Sequence, residues 1–417
     1  MEFKDNECFI AGAGVSGLAG EFDTPLYVYE EELIRERFRS FRDAIDYKPL
    51  KLLYACKANS NIEVMRALIS EGCGIDATSP GEVFFAVEAG CKPENIVLTG
   101  SNITDAEMGA VRHFGVMINI DSLSQLERYC KTYPGTECSV RINPEIGAGG
   151  HEHVVTGGPN VKFGIMHDSL EEALKIAAGH DVKIAGAHMH IGSNILDHKP
   201  FVNALGVFFR SAKLLPDLKF ADLGGGFGVP YSPGQEPADL KAFGKEITAR
   251  FSEFCSDYGR KLELVFENGR FYVAQAGHLL VRVVDVKKTR THVFVGTDSG
   301  FTHLLRPALY GAYHGVVNCS RPGAEKIEAS VVGNICETGD YFARHRMLPE
   351  PQPGDILSIE SAGAYSYSMA SPYNGRPRPA EVMVAGGRAR LVRSRETYED
   401  LLRGQREIVK IAHPWQK

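Results

Sequence analysis

The chain has 417 residues, of which 44% are hydrophobic and 24% charged, and its formal net charge is -6. A chain of this length and composition is expected to bury a large core in about two or three domains. The small negative charge provides no broad basic field, which argues against a nucleic-acid or membrane partner and favours a small metabolite.

A glycine-rich stretch, FIAGAGVSGLAGEF, spans residues 9–22. Its residues Gly12, Gly14 and Gly17 have the G-x-G-x-x-G spacing of a dinucleotide-binding turn. Such a unit needs a full helix between the glycines and the next strand, about 30 residues in all. Here the strand pattern PLYVY begins at Pro25, too soon for that helix. We therefore predict a glycine-rich β-turn and no dinucleotide site.

The segment from residue 31 to residue 276 alternates short β-branched runs with helical patterns. A helical pattern with Ile34, Phe38 and Phe41 on one face comes first. Eight strands alternating with helices predict a closed (β/α)8 barrel of the TIM type, an α/β fold, in preference to an open doubly wound sheet. The eight strand-like runs begin near residues 51, 74, 95, 116, 138, 183, 220 and 262.

From residue 277 to residue 417 the sequence pattern changes to strand-like runs, such as LLVRVVDVKK and AEVMVAGGRARLV, which are separated by turn residues. This pattern predicts a second, mostly β domain, a sandwich or a small barrel. The pattern TPLYVYE within residues 1–30 is also typical of a strand. We therefore expect the N-terminal strands to join the C-terminal β domain.

Reactive or unusual residues lie at the C-terminal ends of several of the predicted barrel strands. In a (β/α)8 barrel the active site lies at the C-terminal ends of the strands, so these residues are expected to share one mouth. They are Lys57 at the end of the first strand, Asp76 at the end of the second, His190 and Ser193 at the end of the sixth, Gly224, Gly225 and Gly226 at the end of the seventh, and Glu267 and Arg270 at the end of the eighth.

Together these residue types suit pyridoxal phosphate. Glycine amides and the Ser193 hydroxyl can hold a phosphate, and a desolvated lysine such as Lys57 forms a Schiff base with an aldehyde. Glu267 can keep the pyridine nitrogen protonated, and His190 can stack on the ring. Singly, a lysine is more often solvated and a histidine more often a satisfied core residue. Asp76 either tunes the site or caps the following helix.

Cysteine usage bears on the cellular compartment. The chain has nine cysteines, an odd number without a C-x-x-C pair, which favours free thiols in a reducing environment. The N-terminal residues also lack a signal-peptide layout, so we expect a cytoplasmic protein. His151 and His153 beside a glycine-rich stretch indicate a loop over the barrel mouth; no third ligand accompanies them, and we predict no metal.

Long motifs along nearly the whole chain resemble the fold-type III pyridoxal-phosphate decarboxylases of basic amino acids, and within them the diaminopimelate decarboxylases. The resemblance implies a lyase that converts meso-2,6-diaminopimelate to L-lysine and carbon dioxide, the last step of lysine biosynthesis. The motifs are YACKANSN, TGGPNVKFGI, HMHIGS, LGGGFGVPY, DSGFTHLLRPALYGAYH, CETGDYFA and GAYSYSMASPYNGRPRPAEV.

The resemblance also implies roles for the matching residues. Cys336 is the implied acid, and with Glu337 it serves the neighbouring subunit, which makes a homodimer with shared active sites the expected assembly. Catalysis then depends on Lys57, His190 and Cys336. The cofactor contacts are Lys57, His190, Ser193, Gly225, Gly226, Glu267, Arg270 and Tyr365. The substrate contacts are Arg270, Arg306, Tyr310, Glu337 and Tyr365.

Alternatives to these assignments remain open at this point. Arg306 and Tyr310, four residues apart, also fit a helix-surface pair, and Cys336 also fits a buried thiol. Asn268 stands where the family usually has proline, which predicts altered loop rigidity, and Thr302 and His303 replace a common Asn-Asp pair.

Other activities of the same fold are also considered. Related decarboxylases act on ornithine, arginine, carboxynorspermidine or siderophore precursors, and an alanine-racemase-like isomerase or a non-catalytic cofactor-binding protein are further alternatives. The Arg306–Tyr310 pair favours a substrate with a distal carboxylate. The carboxylate of Glu267 argues against a racemase, which avoids a strong electron sink.

Overall fold

The computed structural model describes residues 1–149, 156–158 and 160–405; the predicted loop histidines His151 and His153 lie outside this part of the chain. The chain forms two compact units. One contains residues 31–276 together with 363–368, and the other contains residues 1–30, 277–362 and 369–417. Among the described residues, no helix has the length and apolar character needed to cross a membrane.

The first unit is a closed ring of eight parallel strands, which confirms the predicted (β/α)8 barrel. The eighth strand pairs in parallel with the first and so closes the ring. A short extra strand, Ile165–Met166, pairs with the fifth. In chain order the eight strands are Leu50–Ala55, Gly74–Ala77, Ile96–Thr99, Met117–Ile120, Glu137–Asn143, Lys183–His188, Phe220–Asp222 and Glu263–Asn268.

Helices surround this ring, and their first turns show why they begin where they do. The side chains of Asn61, Ser79, Thr104 and Ser122 each accept a hydrogen bond from a first-turn amide, which satisfies a donor that the helix leaves unpaired. The helices of the unit are Glu31–Ala44, Ile62–Ile69, Pro80–Glu88, Asp105–His113, Leu123–Thr132, Leu170–Ala178, Lys199–Ala212, Leu240–Tyr258 and Arg270–Val273.

The second unit is built mainly of strands. Its largest sheet runs from Tyr341–Pro349 at one edge to Arg388–Arg393 at the other. The other strands of the unit are Glu2–Lys4, Glu7–Ile10, Ala13–Gly14, Leu26–Glu30, Gly277–Lys288, Val293–Thr297, Val316–Asn318, Lys326–Val332, Ile356–Ile359 and Ala380–Ala385. Its helices are Val15–Phe22, Arg306–Tyr310 and Tyr398–Leu401.

The N-terminal strand Leu26–Glu30 is an inner strand of that sheet. It pairs antiparallel with Gly277–Lys288 and parallel with Ala380–Ala385. All but its last residue are buried. The apolar pattern of this short segment is therefore explained by neighbours that come from distant parts of the chain.

The glycine-rich stretch corrects one expectation. A turn does occur, with Gly12 at a φ of 83° between two short antiparallel strands, but the predicted β-turn is wrong for the residues that follow. They form the helix Val15–Phe22, which buries Val15, Leu18 and Ala19. Burial of this apolar face offsets the cost of glycine inside a helix, about 1 kcal/mol per residue.

Candidate active site

Lys57 and Asp76 form an ion pair at the C-terminal ends of the first two barrel strands. The Lys57 Nζ lies 2.8 Å from Asp76 Oδ2. The Lys57 side chain is 37% exposed, whereas that of Asp76 is fully buried. Desolvation lowers the pKa of Lys57, but Asp76, Tyr365 and Glu267 outweigh it and raise that pKa above its ordinary value.

Asp76 is therefore a partner of the lysine and not a helix cap. The following helix, Pro80–Glu88, is capped by Ser79, whose Oγ accepts from the Glu82 amide at 3.2 Å. The second carboxylate oxygen of Asp76, Oδ1, has no hydrogen-bond partner among the described residues. Of the two sequence interpretations of Asp76, the structure supports the one that places it at the site.

Glu267 presents a buried carboxylate oxygen without a partner. It lies in the eighth strand and is 5% exposed. Its Oε2 is 3.0 Å from His188 Nε2, while Oε1 has no hydrogen-bond partner among the described residues. Burial raises the pKa of Glu267, but His188 and Lys57 reverse this and lower it to about 2. An unpaired buried oxygen is costly, so this atom suits a donor supplied by a ligand.

The glycines after the seventh strand let three backbone segments approach closely. Gly224 and Gly226 have φ angles of 69° and 107°, in the region that favours glycine. A Cβ on Gly225 would overlap the carbonyl oxygen of Glu267, and one on Gly226 would overlap that of Gly192. The seventh strand thus ends in a cradle of bare backbone beside the sixth and eighth.

This cradle also orients His190. The Gly225 amide donates to His190 Nδ1 at 3.1 Å. Desolvation, with the nearby cations Arg141 and Lys57, holds the pKa of His190 well below its ordinary value. His190 is therefore a neutral ring with Nδ1 as acceptor, and its flat face can stack on an aromatic ring.

Replacing Gly225 with alanine is expected to lower the free energy of unfolding by about 1–3 kcal/mol, because the new methyl group forces the seventh strand away from the eighth. Thermal and chemical denaturation would measure the change. The matched control is Gly206→Ala, in the helix Lys199–Ala212, where the nearest atom to the new Cβ is 3.7 Å away. There the substitution is expected to be neutral or stabilising; equal losses at both positions would contradict the cradle argument.

An arginine, a serine and two tyrosines meet next to the cradle. Arg270 begins the short helix after the eighth strand, and its Nη2 donates to Ser193 Oγ at 2.9 Å. Its Nη1 donates to Tyr231 Oη at 2.9 Å, and its guanidinium carbon lies 4.6 Å from the centre of the Tyr365 ring. A guanidinium beside hydroxyl groups is suited to an anion such as a phosphate.

Tyr365 reaches this corner through a segment that belongs to the barrel unit although it is distant in sequence. The Tyr365 amide donates to the Ala58 carbonyl at 2.7 Å, and Asn59 Nδ2 donates to the Gly363 carbonyl at 3.2 Å. Ala58 and Asn59 are the two residues that directly follow Lys57. Tyr365 and Lys57 are thus held by the same short stretch of backbone.

The barrel therefore brings together all the cofactor residues predicted from the sequence. Sequence reasoning assigned no role to Tyr231, His188 or Asp222. Their positions in the motifs could have indicated a role. His188 begins HMHIGS, Tyr231 ends LGGGFGVPY, and Asp222 directly precedes the latter. At the substituted proline position, Asn268 is fully buried and its Nδ2 donates to Tyr272 Oη at 3.5 Å.

The second unit holds the remaining predicted residues. Arg306 and Tyr310 are the first and last residues of one helical turn, and Arg306 is buried. The Arg306 Nη1 lies 2.8 Å from His314 Nε2, and His314 Nδ1 lies 2.7 Å from the Glu360 carbonyl oxygen. A carbonyl only accepts and a guanidinium only donates, so His314 is the neutral tautomer with its proton on Nδ1. These two hydrogen bonds fix the position of the guanidinium. Because Arg306 is buried, the interpretation of Arg306 and Tyr310 as only a helix-surface pair is wrong.

Cys336 and Glu337 lie on an exposed loop of the same unit. Cys336 is the exposed one of the nine cysteines, all of which are described, so the buried-thiol interpretation is wrong for it. Tyr373 Oη donates to Glu337 Oε1 at 2.8 Å. Asp340, which sequence reasoning missed, accepts from the Phe301 and Ile335 amides at 2.7 and 2.8 Å and so anchors the loop.

Comparison with known proteins agrees with this architecture. Residues 31–274 match a family model described as "Pyridoxal-dependent decarboxylase, pyridoxal binding domain". The barrel unit is therefore the cofactor domain of a pyridoxal-dependent decarboxylase. A relative named diaminopimelate decarboxylase, from Methanothermobacter thermautotrophicus, is 46% identical over 95% of each chain. Another from Escherichia coli is 35% identical over 92% of this chain and 94% of its own. The chain belongs to the diaminopimelate decarboxylase family.

Solved structures show the same relationship. The diaminopimelate decarboxylase of M. jannaschii, in complex with L-lysine, has a TM-score of 0.90 and 33% identity over 99% of this chain and 98% of its own. That of Helicobacter pylori, also complexed with L-lysine, has a TM-score of 0.88 and 33% identity over 94% of this chain and 100% of its own. A lysine/ornithine decarboxylase from Vibrio vulnificus, at 22% identity and a TM-score of 0.78, shares the fold.

Proposed function

We propose that this protein decarboxylates meso-2,6-diaminopimelate to L-lysine, with pyridoxal phosphate as its cofactor. The observation that carries the proposal is the barrel mouth, where a partly exposed lysine, an unpaired oxygen of Glu267 and an arginine–serine corner occur together. The names of the relatives and the L-lysine in two related structures support the choice of substrate.

The barrel residues fit this cofactor. Lys57 supplies the amine that holds its aldehyde, and Glu267 Oε1 is the buried acceptor for its pyridine nitrogen. Ser193, Arg270 and the cradle of bare backbone suit its phosphate. When bound, the cofactor accepts the electron pair left behind as the bond to the departing carboxylate breaks.

Glu267 and His190 set the charge around the ring. With its pKa at about 2, Glu267 is an anion at neutral pH and favours a protonated pyridine nitrogen. His190 stays neutral, so it covers a ring face without adding a cation. Lys57 is held against Asp76, which keeps its amine at one place when it is not attached to the cofactor.

The second-unit residues recognise the far end of the substrate. Diaminopimelate carries a distal ammonium and a distal carboxylate, and a guanidinium and a carboxylate are their natural partners. We assign Arg306, with Tyr310, to the distal carboxylate and Glu337 to the distal ammonium. Arg270 and Tyr365 also contact substrate in this assignment.

Cys336 is the proposed proton donor to the carbon that loses carbon dioxide. Cys336 and Glu337 are both exposed in the single chain, and we propose that they complete the active site of a second subunit in a homodimer. Eight of the nine cysteines are buried and free. This usage fits the cytoplasm, where thiols stay reduced.

The direct test offers the purified protein, loaded with pyridoxal phosphate, meso-diaminopimelate, ornithine and arginine in parallel. Carbon dioxide release and mass spectrometry of the amine product would be measured. Lysine from diaminopimelate, without turnover of the other two, is expected because only diaminopimelate has a distal carboxylate. Turnover of ornithine or arginine alone would contradict the role of Arg306.

A further inference from the structure

A second carboxyl group lies beside Glu267, and the proposed chemistry does not use it. Asp222 ends the seventh barrel strand and is 1% exposed. One carboxyl oxygen of Asp222, one of Glu267 and one ring nitrogen of His188 lie within 4.8 Å of one another. Asp222 Oδ1 accepts from the Gly224 amide at 2.8 Å, whereas Oδ2 has no donor among the described residues.

Two buried carboxyl groups this close do not both ionise, because their charges repel in a poorly solvated site. The surroundings decide which of the two keeps the proton. Glu267 faces His188 Nε2 at 3.0 Å and also the charge of Lys57, both of which favour its anion. Asp222 has one backbone amide in its favour, and it also faces the negative charge of Asp76.

The pKa of Asp222 also indicates that Asp222, and not Glu267, keeps the proton. Burial, and then the charge of Glu267, raise its pKa well above the ordinary value. A metal ion in this cluster is the less consistent alternative. It would need both carboxylates ionised and would take up the Glu267 oxygen that the pyridine nitrogen requires.

We propose that Asp222 is a neutral carboxylic acid whose Oδ2 hydroxyl donates a hydrogen bond to the Glu267 carboxylate. Each carboxylate oxygen can accept two hydrogen bonds, so Glu267 Oε1 stays available to the cofactor. Asp222 is then a positioning residue. Together with His188 it holds the Glu267 carboxylate ionised and aimed at the cofactor. The link to the cofactor rests on the proposed function, whereas the proton on Asp222 is a property of the chain alone.

The first test is infrared spectroscopy of the cofactor-free protein, labelled with carbon-13 aspartate, at about pH 8. A protonated carboxyl gives a carbonyl band distinct from that of a carboxylate. Burial and Glu267 also raise the pKa of Asp76 to about 7, so the decisive band is the one that disappears in Asp222→Asn. No such band in the wild-type protein, or a band that the variant keeps, would overturn the proposal, whether or not the protein decarboxylates diaminopimelate.

The second test compares cofactor affinity in two variants. In Asp222→Asn the amide donates to Glu267 and still accepts from Gly224, so the Kd for pyridoxal phosphate is expected to stay within about threefold. Asp222→Leu has similar size but no donor, and its Kd is expected to rise about 10- to 100-fold, as for a lost hydrogen bond to a charged group.

The absorbance of the bound cofactor is expected to shift to its unprotonated-ring form at lower pH in Asp222→Leu than in Asp222→Asn. A purely structural role would not move this titration. Equal losses of affinity in the two variants would overturn the proposal. They would indicate that wild-type Asp222 is ionised, because neither asparagine nor leucine reproduces the charge of a carboxylate. If Asp222→Leu does not fold, the infrared band and the Asn variant still decide the question.

Discussion

Replacing Lys57 with alanine is expected to lower kcat/KM for diaminopimelate by about 10^4-fold or more, because no other amine replaces the one that holds the cofactor aldehyde. The measurement is carbon dioxide release with pyridoxal phosphate in excess. After borohydride reduction, mass spectrometry is expected to find cofactor attached to the wild-type chain and none on the variant.

Lys57→Arg is the matched control. Arginine keeps a cation against the buried Asp76 and so preserves the ion pair, but its guanidinium does not react as a free amine. Similar unfolding temperatures for Lys57→Arg and wild type, with the same loss of activity, would assign the effect to chemistry. Substantial turnover by either variant would contradict the role of Lys57.

The same variant tests the shared active site. When Lys57→Ala and Cys336→Ala subunits are mixed and allowed to exchange, heterodimers regain one intact site if Cys336 serves its neighbour. Random mixing is then expected to restore about a quarter of the wild-type activity. No recovery, in dimers shown by mass spectrometry to have exchanged, would place Cys336 in its own subunit's site.

Arg306→Gln is expected to lower kcat/KM for diaminopimelate by about 30- to 1000-fold. The guanidinium is buried and fixed by His314, and removing one partner of a buried charge pair has an effect of this size. The discrimination between diaminopimelate and lysine, which lacks the distal carboxylate, is expected to shrink by the same factor. Steady-state kinetics on both compounds would measure it.

The control for this prediction is Arg290→Gln, which removes an exposed arginine of the same unit. It is expected to leave both rates unchanged. Loss of activity on diaminopimelate in Arg306→Gln with no change in discrimination would show that Arg306 supports the fold and does not contact the distal carboxylate.

The barrel could be predicted from the sequence because each of its strands is a compact β-branched run and each helix has a regular apolar face. The lysine, the glycines and Glu267 could also be placed, since they lie at or just beyond the C-terminal ends of those strands. By contrast, the strand Tyr341–Pro349 was missed. Its exposed charged residues, such as Arg344 and His345, hide the alternation that indicates a strand.

The partners of the site residues were harder to foresee because they come from different strands. Asp222 and Glu267 lie on neighbouring strands, and His188 on the strand before them. No local spacing connects the three. The hold of His314 on Arg306 depends on a tautomer set by the Glu360 carbonyl, which only the backbone geometry shows.

The position of Leu26–Glu30 has a consequence for synthesis on the ribosome. One of its two neighbouring strands, Ala380–Ala385, is made some 350 residues later, so the sheet stays incomplete until almost the whole chain has emerged. The barrel from residue 31 to 276 is nearly continuous and can close first. The edge of Leu26–Glu30 that faces Ala380–Ala385 thus stays unpaired until one of the last strands is made. During that interval the unpaired edge of Leu26–Glu30 is open to pairing with strands of other chains.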